Sequence, residues 1–221
     1  MDVVFPIFSL KELDVYQVAA SAPLPSPSSI VGALGAAMGR LGLCRGVQCM
    51  EEARRSVRVA RPVAASPLVK SPVVLRRLRG VLEERRVPEG LGGFVKFSDA
   101  MSREYVFTHF LRLLVVGDVD PRALYLIDRL VDTESLAAVL AVRSFSRAER
   151  CDGGVNVAVV REVARGGGFT LVKMLDEGGS PRVFALPVVR SGGDVYEPSL
   201  IEVGGEVLCV GDVRFPGGHG W

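Results

Sequence analysis

The chain holds few groups able to move protons near neutral pH: its histidines are His109 and His219. Tyr105 and His109 fall on alternate positions of a strand-like run, with Lys96 a few residues upstream. Such groups could cut RNA without a metal, one deprotonating a ribose hydroxyl and another protonating the leaving oxygen. Nothing in the spacing brings Lys96 to that face, and His219 stands in a glycine-rich tail. There is no Gly-x-Ser-x-Gly, no paired-histidine metal motif and no cysteine nucleophile with a supporting histidine. Gly32, Gly35 and Gly39 match neither the dinucleotide fingerprint nor a phosphate loop, because no Gly-Lys-Ser/Thr follows. The four cysteines are too few and too scattered to read as a disulfide framework, and Cys44 with Cys49 lacks the second pair a zinc site needs. These absences predict a non-catalytic protein with no metal, no cofactor and no small-molecule substrate.

Charge is more informative than chemistry. The net charge of +2 conceals twelve basic against four acidic side chains between Arg40 and Arg86, while the remainder is acidic. A concentrated positive region suits a polyanion, since phosphate neutralisation with counterion release supplies much of nucleic-acid affinity. A solvated basic surface, or a contact to an acidic protein, fits the same count. Amides are restricted to Gln17, Gln48 and Asn156, a composition consistent with a heat-adapted source.

The hydropathy pattern supplies the scaffold for these groups. Residues 2–10 read as a strand. Ala22-Pro23-Leu24-Pro25-Ser26-Pro27-Ser28-Ser29 must be extended at first, because each proline biases its predecessor away from the helical region. Ser26 as N-cap and Pro27 at the first helical position then start a helix running to about Leu41. Ile30, Val31, Leu34, Ala37, Met38 and Leu41 share one face; Gly32, Gly35, Ala36 and Gly39 lie opposite, where another segment, a partner or an RNA backbone can approach closely. A helix over 47–56, a strand over 57–64, an excursion over 66–102, a strand over 103–116, a helix from Asp120-Pro121 to about 131 and a strand over 136–145 follow. That order predicts an α+β, ferredoxin-like βαββαβ domain over 1–150, with its insertion at about 66–102. Glycine pairs beyond Arg150 predict hairpins of a smaller β-rich lobe over 151–221. Tyr105, Phe107 and His109 could stack bases on such a sheet, but core packing is the expectation for most of them.

The short first strand, the run Pro23-Leu24-Pro25-Ser26-Pro27-Ser28-Ser29-Ile30-Val31-Gly32-Ala33-Leu34-Gly35-Ala36-Ala37 and the later Arg129-Leu130-Val131-Asp132-Thr133-Glu134-Ser135 together resemble CRISPR-associated RAMP proteins of the Cas-five type. Val131 stands where that family usually has glycine. The resemblance covers about residues 1–145. It implies a modified ferredoxin-like domain with a protrusion between its second and third strands, capping the five-prime handle of CRISPR RNA (crRNA) in a Cascade-like antiviral complex. Its contacts would be the backbone and large subunits. Short length and archaeal-looking composition point to the type I-A branch, and the absence of a long apolar run points to the cytoplasm rather than a membrane. The RNA-contacting residues expected on this reading are Ser26, Ser28, Ser29, Arg40, Arg45, Arg58, Arg76, Arg77, Arg79, Lys96 and Arg103. A metal-independent endoribonuclease acting on precursor crRNA and a protein-only scaffold are the competing expectations.

Overall fold

A computed structural model describes residues 1–15 and 20–218, together with their side chains except those of Arg77, Arg79 and Leu82. The N-terminal part runs β1 (Asp2–Val4), β2 (Ile7–Phe8), α1 (Pro27–Arg40), α2 (Gln48–Ser56) and β3 (Val57–Ala64). It continues through β4 (Leu68–Arg77), α3 (Arg79–Glu84), α4 (Gly90–Phe97), β5 (Asp99–Thr108), β6 (Phe110–Gly117), α5 (Pro121–Tyr125) and β7 (Ala138–Ala141). Short strands follow: β8 (Glu149–Cys151), β9 (Val159–Val160), β10 (Ala164–Arg165), β11 (Thr170–Leu175) and β12 (Pro181–Leu186). The last are β13 (Val188–Gly192), β14 (Val195–Pro198), β15 (Glu202–Val203), β16 (Val207–Val210) and β17 (Val213–Pro216).

Two sheets organise this mixed helical and strand architecture. The first has the order β3-β6-β1-β7, with antiparallel neighbours throughout. The second, β13-β14-β4-β5-β2, is built on the long β4–β5 hairpin, paired from Leu68↔Thr108 to Arg77↔Asp99. The expected excursion over 66–102 is therefore mostly this hairpin, with α3 and α4 at its far end. β14 pairs with its near end through Val195↔Val69 and Tyr196↔Leu68. Phe5, Phe8, Leu24, Ile30, Leu34 and Leu111 from before residue 150, and Phe184 and Leu186 from after it, share one fully buried core. Each such side chain contributes roughly 1.5–3 kcal/mol by leaving water.

Several expectations need correction. The strand expected over 2–10 is two short strands in different sheets, interrupted at Phe5-Pro6. The long strand expected over 103–116 is also two, broken at His109, where the chain passes from one sheet to the other. The helix expected to reach about 131 ends at Tyr125, and the final strand contracts to Ala138–Ala141. The cysteines, too few and scattered to be read as a disulfide framework, form Cys44–Cys49 and Cys151–Cys209 bridges.

Asp2 receives Arg112 Nε at 2.5 Å and Arg143 Nη2 at 2.7 Å. Partial burial pushes its carboxyl up, but the Arg112 hydrogen bond and the charges of both arginines outweigh this and hold it below 3.8. An acid with a depressed folded-state pKa stabilises fully above its unfolded value and loses that contribution as pH falls through the folded one. Urea unfolding should therefore show stability falling below about pH 4, with a shallower fall in Asp2→Asn; an identical acid limb would remove Asp2 from the account.

Candidate nucleic-acid interface

Helix α1 begins as its sequence dictates: Ser26 Oγ accepts from Ser29 N at 3.1 Å, and Pro27 occupies the first turn. Ile30, Val31, Leu34 and Ala37 are buried toward the core. The small-residue side divides between two neighbours. A Cβ on Gly35 would sit 3.0 Å from the Cys49 carbonyl oxygen, and one on Gly39 would sit 3.3 Å from Cys49 Sγ. Those two glycines admit α2. Gly32, with Ala33 and Ala36, instead lines an open cleft.

This cleft, about 560 Å³, lies between α1, the 10–13 stretch, the 129–133 turn and β11. Half-buried Ser28 and Ser29 line its floor, and exposed Lys11, Arg40, Arg129 and Lys173 stand around it. Arg40 pairs with Asp128 at 2.5 Å, Lys173 with Asp14 at 2.9 Å, and Arg129 Nη1 donates to the Thr133 carbonyl at 3.1 Å. Lys11 has no ion pair among the described residues. The cleft carboxylate Asp132 is held by Arg103 Nη2 at 2.6 Å. No acidic residue occupies the first turn of α1, so the positive end of the helix adds to the field. Hydroxyls, closely approachable backbone and cations in one cleft are suited to a phosphodiester chain.

The turn is shaped by its backbone. Asp132 Oδ1 accepts from Glu134 N at 3.1 Å and Ser135 N at 2.8 Å, and Arg129 bridges to Leu136. Val131 takes φ +82°, a left-handed conformation that is unfavourable for a β-branched residue. This is the position where the resemblance leads glycine to be expected. Val131→Gly should accordingly be more stable than Val131→Ala by about 1 kcal/mol, inverting the usual order of those residues. Urea unfolding of both variants checks this, and alanine proving equal or better would contradict the strain.

The other expected contacts are dispersed. Ser26 is buried, and its hydroxyl is engaged with Ser29, so it positions the helix. Arg103 is tied to Ser9, Asp132 and Glu134 and braces the turn from β5. Arg45 is exposed between α1 and α2, Arg76 is exposed on β4, and Lys96 is exposed on α4. The side chains of Arg77 and Arg79 lie outside the described residues. Arg58 is exposed on β3 and borders a different cleft. The basic run also supplies buried cations: Arg61 pairs with Glu177 beneath Phe184, and Lys70 pairs with Glu104 at 2.9 Å. Lys11, Arg129 and Lys173 were not expected, because they come from three distant segments.

The proton-transfer set does not assemble. His109 is exposed at the near end of the β4–β5 hairpin, whereas Lys96 lies on α4 past its far end. At 3.2–3.4 Å per strand residue, they are about 30 Å apart. Tyr105 carries Arg103 over its ring at 5.3 Å. His219 lies outside the described residues. Among the described residues there is no cluster of potential metal ligands, and no helix is long and apolar enough to cross a membrane.

No family model matches the chain. The backbone superposes on a CRISPR protein from Archaeoglobus fulgidus with a TM-score of 0.59 at 16% identity, covering 96% of this chain and 95% of that one. The CRISPR-associated protein Cas5 of Methanocaldococcus jannaschii is 36% identical over 154 residues, 62% of this chain and 59% of the relative. The protein of the same name from Thermoproteus tenax is 48% identical over 218 residues, 98% of this chain and 96% of the relative. With such identity sustained along nearly the whole of both sequences, the chain belongs to the CRISPR-associated Cas5 family.

Proposed function

We propose that this protein is a crRNA-binding subunit of a type I-A Cascade-like complex, that it caps the five-prime handle, and that it performs no chemistry itself. The observation carrying this reading is the α1 cleft, where Ser28, Ser29 and Gly32 lie among Lys11, Arg40, Arg129 and Lys173. The guide would supply sequence specificity by base pairing, leaving the protein to hold backbone. A ferredoxin-like reading of the first sheet is supported by its order, in which the third strand separates the first from the second and the fourth lies outside the first. The β4–β5 hairpin, with exposed Leu91 and Val95 at its α4 tip, suits contact with the backbone or large subunit in the cytoplasm.

Gly32→Leu tests the site with little cost to the fold. The added Cβ meets Met50 Cε at an ordinary 3.4 Å, while the rest of the side chain occupies the cleft. Leucine is also the better helix former by about 0.5–1 kcal/mol. The expected result is an unchanged or raised melting temperature with at least tenfold weaker binding of handle RNA by fluorescence anisotropy. Unchanged affinity would remove the α1 cleft from the reading. Metal-free cleavage of repeat RNA by clean protein, lost in His109→Ala, would replace it with the endoribonuclease alternative.

A further inference from the structure

A second cleft, about 810 Å³, lies along the first sheet, bordered by β3, β6, the 142–148 segment and the β16–β17 hairpin. On β6, Leu111 and Leu113 face the α1 core while Arg112 and Leu114 point the other way, toward the β16–β17 hairpin and the 142–148 segment. Its three carboxylates are already committed. Asp2 holds Arg112 and Arg143, Asp212 holds Arg112, and Glu177 holds Arg61. Arg58, Arg147 and Arg182 also border it, are exposed, and have no ion pair among the described residues. Burial and then repulsion from Arg182 push the Arg61 guanidinium down to about 10.

The connection from β7 to β8 crosses this cleft as Arg143-Ser144-Phe145-Ser146-Arg147, with Phe145 54% exposed. Extended, the four steps from Arg143 to Arg147 span about 13 Å. This leaves room for an aromatic face between two cations. We propose that this cleft binds a second stretch of single-stranded nucleic acid, with Phe145 stacking on an unpaired base and Arg58, Arg147 and Arg182 on the backbone. Base-aromatic stacking flanked by cations is the usual means of sequence-tolerant single-strand binding. An acidic protein segment would use the arginines but not the aromatic ring, and a duplex offers no exposed base face in its interior. This cleft and the α1 cleft share no lining residue, so the inference stands without the handle-capping reading.

The test uses the full chain and a short fluorescein-labelled polyuridylate, titrated by anisotropy over a range of salt. Arg58→Glu/Arg147→Glu/Arg182→Glu breaks no ion pair and should leave the melting temperature in place. It is expected to lose at least tenfold in affinity, with a log-log salt slope shallower by about 2, at about 0.7 for each phosphate contact to a single strand. Phe145→Ala should lose about tenfold and Phe145→Trp should restore binding. Unchanged affinity and slope in the groove variants, with binding lost only in Arg129→Glu/Lys173→Glu, would overturn the proposal without touching the α1 cleft. Polyglutamate bound in place of polyuridylate, sensitive to the arginine variants but not to Phe145→Ala, would overturn it in favour of an acidic protein partner.

Discussion

Lys11→Glu/Arg129→Glu/Lys173→Glu is expected to weaken handle-RNA binding at least a hundredfold and to make its log-log salt slope shallower by about 2. Three lost cation–phosphate contacts, at about 0.7 each for single strands, give that slope change. Replacement by carboxylates adds repulsion to the lost attraction. The fold should survive, because all three side chains are exposed and the interactions they give up are a surface pair with Asp14 and a hydrogen bond to Thr133. Contacts of that kind are typically worth about 1 kcal/mol or less. Anisotropy titrations at several salt concentrations, alongside circular-dichroism melting, read both quantities. Equal affinity and slope would mean that these cations do not meet the handle. The same titration of Arg76→Glu/Arg77→Glu/Arg79→Glu measures the contribution of the β4–β5 hairpin, where the charge count first placed the RNA.

The second large effect is on stability. Cys151→Ser/Cys209→Ser should lower unfolding free energy by about 4 kcal/mol, because the native bridge closes a loop across a sequence separation of 58 and removes that much chain entropy from the unfolded state. The bridge joins β8 to β16 and so fastens the segment after β7 to the C-terminal hairpin. Cys44–Cys49 spans a separation of five and should contribute only about 2 kcal/mol by the same entropy argument. Urea unfolding of the native and double-serine proteins, with a thiol titration of the native chain, checks this. Near-zero free thiol and the larger loss at Cys151–Cys209 are expected; four titratable thiols and no loss would refute it. Paired cysteines in an amide-poor chain are consistent with heat adaptation.

Helix α1 was legible because its determinants are local: the Ser26 cap, Pro27 and the spacing from Ile30 to Ala37. The sheet change at His109 was not. Val106 and Thr108 are buried before it, and Leu111 and Leu113 after it, so the inward-facing parity flips. The apolar run from Phe110 to Val116 leaves almost no polar position to reveal that flip. The Cys151–Cys209 bridge was obscured by sequence distance, since that pairing follows from β8 lying beside β16. Charge counted along the chain identified a basic region but not its geometry. Arg61 and Lys70 turn inward to carboxylates, while Lys11 and Lys173 reach the α1 cleft from outside that region. The glycines of α1 were ambiguous for the same reason: Gly35 and Gly39 admit α2, and only Gly32 lines the cleft.

The role in holding guide RNA is tested most directly by ultraviolet crosslinking of the native complex and sequencing of the RNA it retains. The account predicts protected crRNA whose five-prime handle crosslinks to peptides containing Ser28 and Ser29 or Arg129 to Thr133. A complex that retains this protein but no protected RNA, or handle crosslinks that never reach those peptides, would contradict it.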